Sequence, residues 1–221
     1  MMPNKCVVLF DLDDTLYKEI DFLYSAYQDI STEIEQRFGI DQVYEQMIRD
    51  YEEHQDVFQH VIDRIGGKLD KAYLLNRYRS HIPHIQLDQS TLSCLSVLKD
   101  KHIPMGLITD GRSITQRNKI LALGLNNWIK EPDIIISEEF GSEKPAERNY
   151  RYFEKRYPDC CFWYAGDNLQ KDFLAPNRLG WETVCLLDDG KNIHKQDFCL
   201  AEAYLPKYQI ATLHELIKYI L

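Results

Sequence analysis

"VVLFDLDDTLYKE" (residues 7–19) runs an apolar, β-rich segment straight into Asp11, Asp13 and Asp14. Adjacent carboxylates repel one another, and the end of an apolar strand solvates them poorly. Either the segment is an ordinary acidic turn, or positive charge gathers beside it. The rest of the chain decides between these.

Similar short apolar runs recur along the chain: "CVVLF" (6–10), "PMGLIT" (104–109), "DIIIS" (133–137), "CFWYAG" (161–166) and "ETVCLL" (182–187). Each has strand length and almost no alternation, which suits parallel strands buried on both faces. "AEAYL" (201–205) is expected to add an edge strand. Helical patterns lie between them. Leu92, Leu95 and Leu98 share one face, and Tyr150, Phe153 and Tyr157 share another. "SITQRNKILALGL" is expected to start at a capping Ser113 and to stop at Gly124. Strand alternating with helix predicts a doubly wound, mainly parallel α/β sheet of Rossmann-like form. Residues 20–82 break the alternation. Leu23, Tyr27, Ile30, Ile34 and Phe38 step at helical spacing, as do Val57, Val61, Ile62 and Ile65, then Leu69, Ala72, Leu75 and Tyr78. Glycines at 39 and at 66–67 punctuate them. The expected organisation is a core of residues 1–19 and 83–221, with an all-helical insertion at 20–82.

Composition narrows the function. The chain has 221 residues, 44% of them hydrophobic, enough for one large domain or a core with an insertion. A net charge of -9 argues against nucleic acid as a general partner, and scattered lysines and arginines give no polybasic membrane patch. No run is long enough to span a bilayer, and the N-terminal apolar run is too short for a signal peptide. The six cysteines form no C-x-x-C and no zinc spacing, and most sit in or beside apolar runs. A reducing cytoplasm is the expected compartment.

In open α/β sheets, ligands bind outside the carboxyl ends of the strands. The residues following each strand are therefore the informative ones. They are Asp11-Leu12-Asp13-Asp14-Thr15, then Thr109-Asp110-Gly111-Arg112, then "EEFGSEKP" with Lys144, then Asp167-Asn168-Leu169-Gln170-Lys171-Asp172. Carboxylates, a hydroxyl and a lysine at one edge suit phosphoryl transfer. Mg²⁺ takes one or two carboxylates, water and a substrate phosphate, and would remove the repulsion among the aspartates. A carboxylate can attack phosphorus, and a second one two residues on can move the proton. Thr109, the backbone N–H groups of Asp110 and Gly111, and Lys144 would hold phosphate oxygens.

"FDLDDTL", "LITDGR", "SEKP" and "GDNLQKD", in this order, resemble the four motifs of the haloacid dehalogenase (HAD) superfamily. The resemblance covers roughly 1–20 and 85–221, and the helical insertion sits where that family carries its C1 cap. It implies that Asp11 is the nucleophile, Asp13 the general acid/base, and Thr109 and Lys144 phosphate binders. It implies a Mg²⁺ site formed by Asp11, the backbone carbonyl of Asp13, and Asp167. Asp172 matches the second acid of the fourth motif, as a metal-site or lysine-orienting group. The implied activity is a Mg²⁺-dependent phosphatase acting on a small phosphorylated metabolite through an aspartyl-phosphate.

Several alternatives compete. A sugar-phosphate mutase of the same family would pass the phosphoryl group to a second hydroxyl. A dehalogenase has no leaving alcohol to protonate, and family dehalogenases lack the second aspartate of the first motif. A receiver-type phospho-acceptor carries its acidic pair elsewhere and has no insertion of this size. A non-catalytic binding protein on this fold would not need Asp11, Asp13, Lys144 and Asp167 intact. Arg112 is a candidate phosphate contact or a surface residue. His81 and His84 are read as structural, since Pro83 breaks their face. Trp128, Trp163 and Trp181 are read as packing residues. There is no G-x-G-x-x-G and no P-loop. Leaving-group specificity is expected from the insertion, with Arg49, His54, Lys68, Arg77 and Arg79 as candidates.

Overall fold

The computed structural model describes residues 5–221. Residues 1–4, which the expected core includes, lie outside the described residues. Six strands form one parallel sheet: β1 (Cys6–Phe10), β2 (Met105–Thr109), β3 (Ile134–Ile136), β4 (Cys161–Gly166), β5 (Glu182–Leu186) and β6 (Tyr208–Ile210), in the order β3-β2-β1-β4-β5-β6. The helices are α1 (Glu19–Phe38), α2 (Val43–Glu52), α3 (Val57–Arg64), α4 (Lys71–Ser80), α5 (Gln89–Asp100), α6 (Ser113–Ala122), α7 (Ser137–Phe140), α8 (Glu147–Arg156), α9 (Leu174–Arg178) and α10 (Ile217–Ile220).

The unbroken apolar runs mark strands covered on both faces. Val8 and Phe10 of β1 point into a core shared with Leu95 and Leu98 of α5, Ile120 of α6 and the C-terminal Leu213 and Leu216. Val7 and Leu9 point the other way, against Tyr150 and Phe153 of α8 and Trp181. These four side chains are fully buried. At about 1.5–3 kcal/mol each, their burial contributes on the order of 6–12 kcal/mol before chain entropy is counted. That makes β1 the natural centre of the sheet. From β1 the chain goes to β2 and β3 on one side, then crosses to β4 on the other. The crevice at this reversal lies at the carboxyl ends of β1 and β4, where Asp11 and Asp167 sit.

Helices α1–α4 lie between β1 and α5 and pack on a separate apolar cluster of Leu23, Tyr27, Ile30, Ile34, Val43, Met47, Val57, Val61, Ile65 and Leu74. Gly39 closes α1 in the left-handed conformation (φ 65°), and Asp56 and Asp70 cap α3 and α4 through their carboxylates. Helix α6 grips the return of the chain to the sheet. Thr115 Oγ1 donates to Arg79 O (2.9 Å), and Asn118 Nδ2 donates to Ser80 O (2.9 Å) and His81 O (3.0 Å). Among the described residues, no helix is long and apolar enough to cross a membrane. All six cysteines are free.

Three local expectations need correction. "AEAYL" forms a 3-10 turn at Glu202–Tyr204, and the edge strand is Tyr208–Ile210. Ser113 is the first residue of α6, not its cap; its N–H donates to a Glu138 carboxylate oxygen (2.7 Å) and its hydroxyl to Glu139. In α4 the buried residue is Leu74, while Ala72 is exposed. There the polar face carries Arg77, whose ion pairs to Asp29 and Glu33 help fix the helix's rotation.

Candidate active site

The three aspartates of the opening stretch find three different sets of partners. Asp11 continues β1 by one residue, its N–H donating to Ala165 O (2.9 Å). Its Oδ1 accepts from Lys144 Nζ (2.6 Å). Asp13 turns toward α6. Its Oδ1 accepts from Lys119 Nζ (2.6 Å) and from the Tyr17 hydroxyl (2.5 Å), and its Oδ2 from Gln116 Nε2 (2.9 Å). Asp14 adopts positive φ (56°) and binds backbone alone: Oδ1 accepts the Glu19 N–H that opens α1, and Oδ2 accepts the Ile193 N–H from the loop after β5. Asp14 thus ties the entry of the helical insertion to that loop, and each of the three carboxylates finds donors of its own.

Lys144 is 7% exposed and bridges Asp11 and Asp172, with Nζ–Oδ1 distances of 2.6 and 2.7 Å. Its backbone N–H donates to Asp110 Oδ1 (3.0 Å), which anchors the segment carrying it. Asp172 is fully buried, and its Oδ2 accepts the backbone N–H groups of Asp167 (3.1 Å) and Asn168 (2.8 Å). It therefore orients a lysine and a loop. Glycine is required at 166 for this: a Cβ there would lie 2.5 Å from Asp172 Oδ2. The carboxylates of Asp11, Asp167 and Asp172 each place an oxygen within 4.8 Å of the others.

Burial pushes the Asp167 carboxyl up to about 9, reinforced by the charges of Asp172, Asp11 and Asp14 against a weaker opposing pull from Lys144. Burial likewise pushes Asp11 up to about 8, despite Lys144. Asp13 behaves differently. Burial pushes it up, but the Lys119 ammonium and the donors Lys119, Tyr17 and Gln116 outweigh burial and hold it below the usual carboxylate range. Lys144 is raised well above an ordinary lysine, because Asp11 and Asp172 overcome its desolvation.

Asp11, Asp13, Thr109, Asp110, Lys144 and Asp167 line one pocket, a cavity of about 120 Å³. Gly111 does not line it, and its N–H, expected to face phosphate, donates to Ser137 Oγ (2.9 Å). Arg112 is exposed outside the pocket. The proposed specificity residues Arg49, His54, Lys68, Arg77 and Arg79 do not line it either. Arg77 is spent on Asp29 and Glu33, and Lys68 lies over Phe38. Asp14, Glu19, Asn168, Lys171 and His194 complete the wall. Burial, then Asp13, pushes the Glu19 carboxyl up to about 7. Asn192 reaches in from the same loop as His194 and donates to Asp167 Oδ2 (3.0 Å). Gln116, Lys119, Tyr17, Glu19 and Asn192 carry no motif. The one sequence trace of the first two is a pair of polar residues on the face of α6 that also carries the buried Ile120.

An oxygen-only donor set with buried, mutually repelling carboxylates fits a hard divalent cation such as Mg²⁺. The family model for haloacid dehalogenase-like hydrolases matches residues 8–185. The chain is 29% identical over 223 residues to a glyceraldehyde 3-phosphate phosphatase of Methanocaldococcus jannaschii, covering 95% of this chain and 94% of that one. A glyceraldehyde 3-phosphate phosphatase of Methanopyrus kandleri is 29% identical over 193 residues, 80% of this chain and 82% of that one. The fold is shared with the magnesium-bound HAD-hydrolase YfnB of Bacillus subtilis (TM-score 0.66, 23% identity, 98% and 99% of the two chains covered). It is shared also with a 2-haloacid dehalogenase of Pseudomonas syringae (TM-score 0.63, 18% identity, 96% of each chain).

Proposed function

The chain belongs to the haloacid dehalogenase-like hydrolase family, and from that premise we propose that it hydrolyses a small phosphate monoester through an aspartyl-phosphate on Asp11. Residues 1–19 and 83–221 would form the catalytic core and 20–82 a cap over it. The observation that carries this is the convergence of Asp11, Asp13, Thr109, Lys144 and Asp167, drawn from four separate strand ends, in one small polar pocket.

Asp11 attacks phosphorus as the bond to the leaving oxygen breaks. It must be ionised to do so, and in the protein alone burial and its acidic neighbours oppose ionisation more than Lys144 favours it. A Mg²⁺ ion held by Asp11, Asp167 and the Asp13 carbonyl would supply the missing positive charge and neutralise phosphate oxygens. Lys144 and Thr109 hold the remaining oxygens, with Lys144 kept in place by Asp172. Asp13 is ionised before substrate arrives. An incoming phosphate places like charge beside it, which favours its taking up a proton and passing it to the leaving oxygen. In the second step water attacks the phosphoryl group, its proton goes to Asp13, and Asp11 is released. Asp13 is the feature that favours a phosphatase over a dehalogenase, since carbon–halogen cleavage leaves no alkoxide to protonate.

A compact, polar pocket suits a short leaving group with hydroxyl or carbonyl groups, on the scale of the triose phosphate named for the relatives. Glu19, Asn168, Lys171 and His194 would read it. Phosphate release from a panel of phosphorylated metabolites, glyceraldehyde 3-phosphate included, tests the proposal with Mg²⁺ and with EDTA. Mg²⁺-dependent turnover of three-carbon esters is expected. Turnover untouched by EDTA, or none across the panel, would refute it. Phosphoryl transfer to a second sugar instead of water would move the chain to the mutase class.

A further inference from the structure

Asp13 and Thr109 are held by two residues of one helix that belong to no motif. Gln116 is 2% exposed, and its Nε2 lies 2.9 Å from Asp13 Oδ2 and 2.6 Å from Thr109 Oγ1. A carboxylate only accepts hydrogen bonds, so the amide nitrogen, not the oxygen, must face Asp13. The same nitrogen then donates its second hydrogen to Thr109. With its oxygen accepting from Gln116, the Thr109 hydroxyl keeps its own hydrogen for the pocket it lines. Three residues on along α6, Lys119 is 3% exposed and donates to Asp13 Oδ1. Its ammonium lies over the Phe22 ring, 4.4 Å from the centroid, and a Glu19 carboxylate oxygen lies 3.8 Å away. A buried ammonium is costly unless paired, and Asp13 is its short-range partner. Tyr17 closes the third side of Asp13.

We propose that Gln116 and Lys119 are positioning residues for phosphoryl transfer: Lys119 fixes the Asp13 carboxylate in one orientation, and Gln116 joins it to the phosphate-binding hydroxyl of Thr109. This rests on the phosphatase reading above and adds the second layer that aligns its proton carrier and its phosphate donor. Three donors in fixed directions leave Asp13 little rotational freedom, and a misplaced proton carrier loses much of its effect.

The test uses two phosphate esters, glycerol 2-phosphate with its poor alkoxide leaving group and p-nitrophenyl phosphate with a good one. Lys119→Met should lower kcat/KM, which reports the step that forms the phosphoryl-enzyme, roughly tenfold to hundredfold more on the alkyl ester than on the aryl ester, because in that step only the alkyl oxygen needs a proton from Asp13. Lys119→Arg should recover most of the loss. In an Asp13→Asn background, Lys119→Met should leave the p-nitrophenolate burst rate unchanged, since the residue it positions is already disabled. Equal losses of kcat/KM on both esters, or the same further loss of burst rate in the Asp13→Asn background, would show a merely structural lysine and overturn the inference. Should Lys119→Met not fold by circular dichroism, Gln116→Met decides independently. It should weaken competitive inhibition by inorganic phosphate roughly tenfold, the worth of about one hydrogen bond. An unchanged inhibition constant would overturn the Thr109 half of the proposal. If the parent protein releases phosphate from neither these esters nor the metabolite panel, the phosphatase reading itself fails, and that outcome is distinct from the others.

Discussion

Asp167→Asn should make the metal-free protein more stable at neutral and alkaline pH, although it removes a group expected to hold the metal. Asp167 is 3% exposed, with its carboxyl pushed up to about 9 by burial and by Asp172, Asp11 and Asp14. In the unfolded chain an aspartate titrates at about 3.9. The folded state therefore binds this proton more tightly than the unfolded state. The stability it contributes is fully present below about pH 4 and is lost as pH rises toward about 9. One proton corresponds to about 1.4 kcal/mol per pH unit, so from pH 5 to pH 8 the parent should lose about 4 kcal/mol on this account. Asp11, pushed up to about 8, adds to the loss over the same window. Asparagine keeps an oxygen for the Asn192 donor but never ionises, and it removes a like charge from beside Asp11. Urea unfolding in EDTA at pH 5, 6, 7 and 8 checks this. The stability curve of the variant should be flatter than the parent's by about one proton, and the variant should be the more stable protein at pH 8. Adding Mg²⁺ should lift the parent at pH 8 far more than the variant. Parallel curves in EDTA, or a variant less stable than the parent at every pH, would refute the account of these carboxylates as mutually repelling and incompletely compensated.

The other perturbations act on single contacts. Asp11→Asn should abolish turnover, whereas Asp13→Asn should give a stoichiometric p-nitrophenolate burst with phosphate trapped on Asp11, visible by mass spectrometry; label on Asp167 instead would reverse the assignment. Asp172→Ala leaves Lys144 paired with Asp11 alone and strands two backbone N–H groups, so at about 1–3 kcal/mol for each orphaned donor it should cost about 2–4 kcal/mol in urea unfolding; a loss below about 1 kcal/mol would mean Asp172 is not holding the loop. Gly166→Ala puts a methyl group where Asp172 Oδ2 and Cγ now lie, at 2.5 and 2.7 Å, so activity should fall at least tenfold as Asp172 and Lys144 are displaced. Full activity in that variant would show that Asp172 can move without consequence for Lys144.

The strands were legible because parallel strands buried on both faces leave unbroken apolar runs, and "CVVLF" and "CFWYAG" end where such runs end. The strand-end residues Asp11, Thr109, Lys144 and Asp167 were legible for a related reason: a parallel sheet sends every carboxyl end to one edge, so chain order alone places them together. The edge strand was misplaced because short edge segments take their register from a neighbour, and Tyr208–Ile210 is selected by pairing with Val184–Leu186. The helical insertion showed its periodicity but not its polar contacts. Arg77 has the chemistry of a phosphate binder, yet Asp29 and Glu33 of α1 hold it. Glu19, by contrast, reaches the pocket from the first residue of the insertion's first helix. Gln116 and Lys119 were hidden for the same reason. A polar residue on a helix reveals its phase but not its target, and only the packing of α6 against the end of β1 brings both to Asp13. The sequence by itself determined which groups arrive at the edge of the sheet, because local periodicity and chain direction decide that. Which partner each charged group finds depends on contacts between residues far apart in the chain, as between Asp13 and Lys119 or Asp11 and Lys144, and those distances exist only once the tertiary structure has formed.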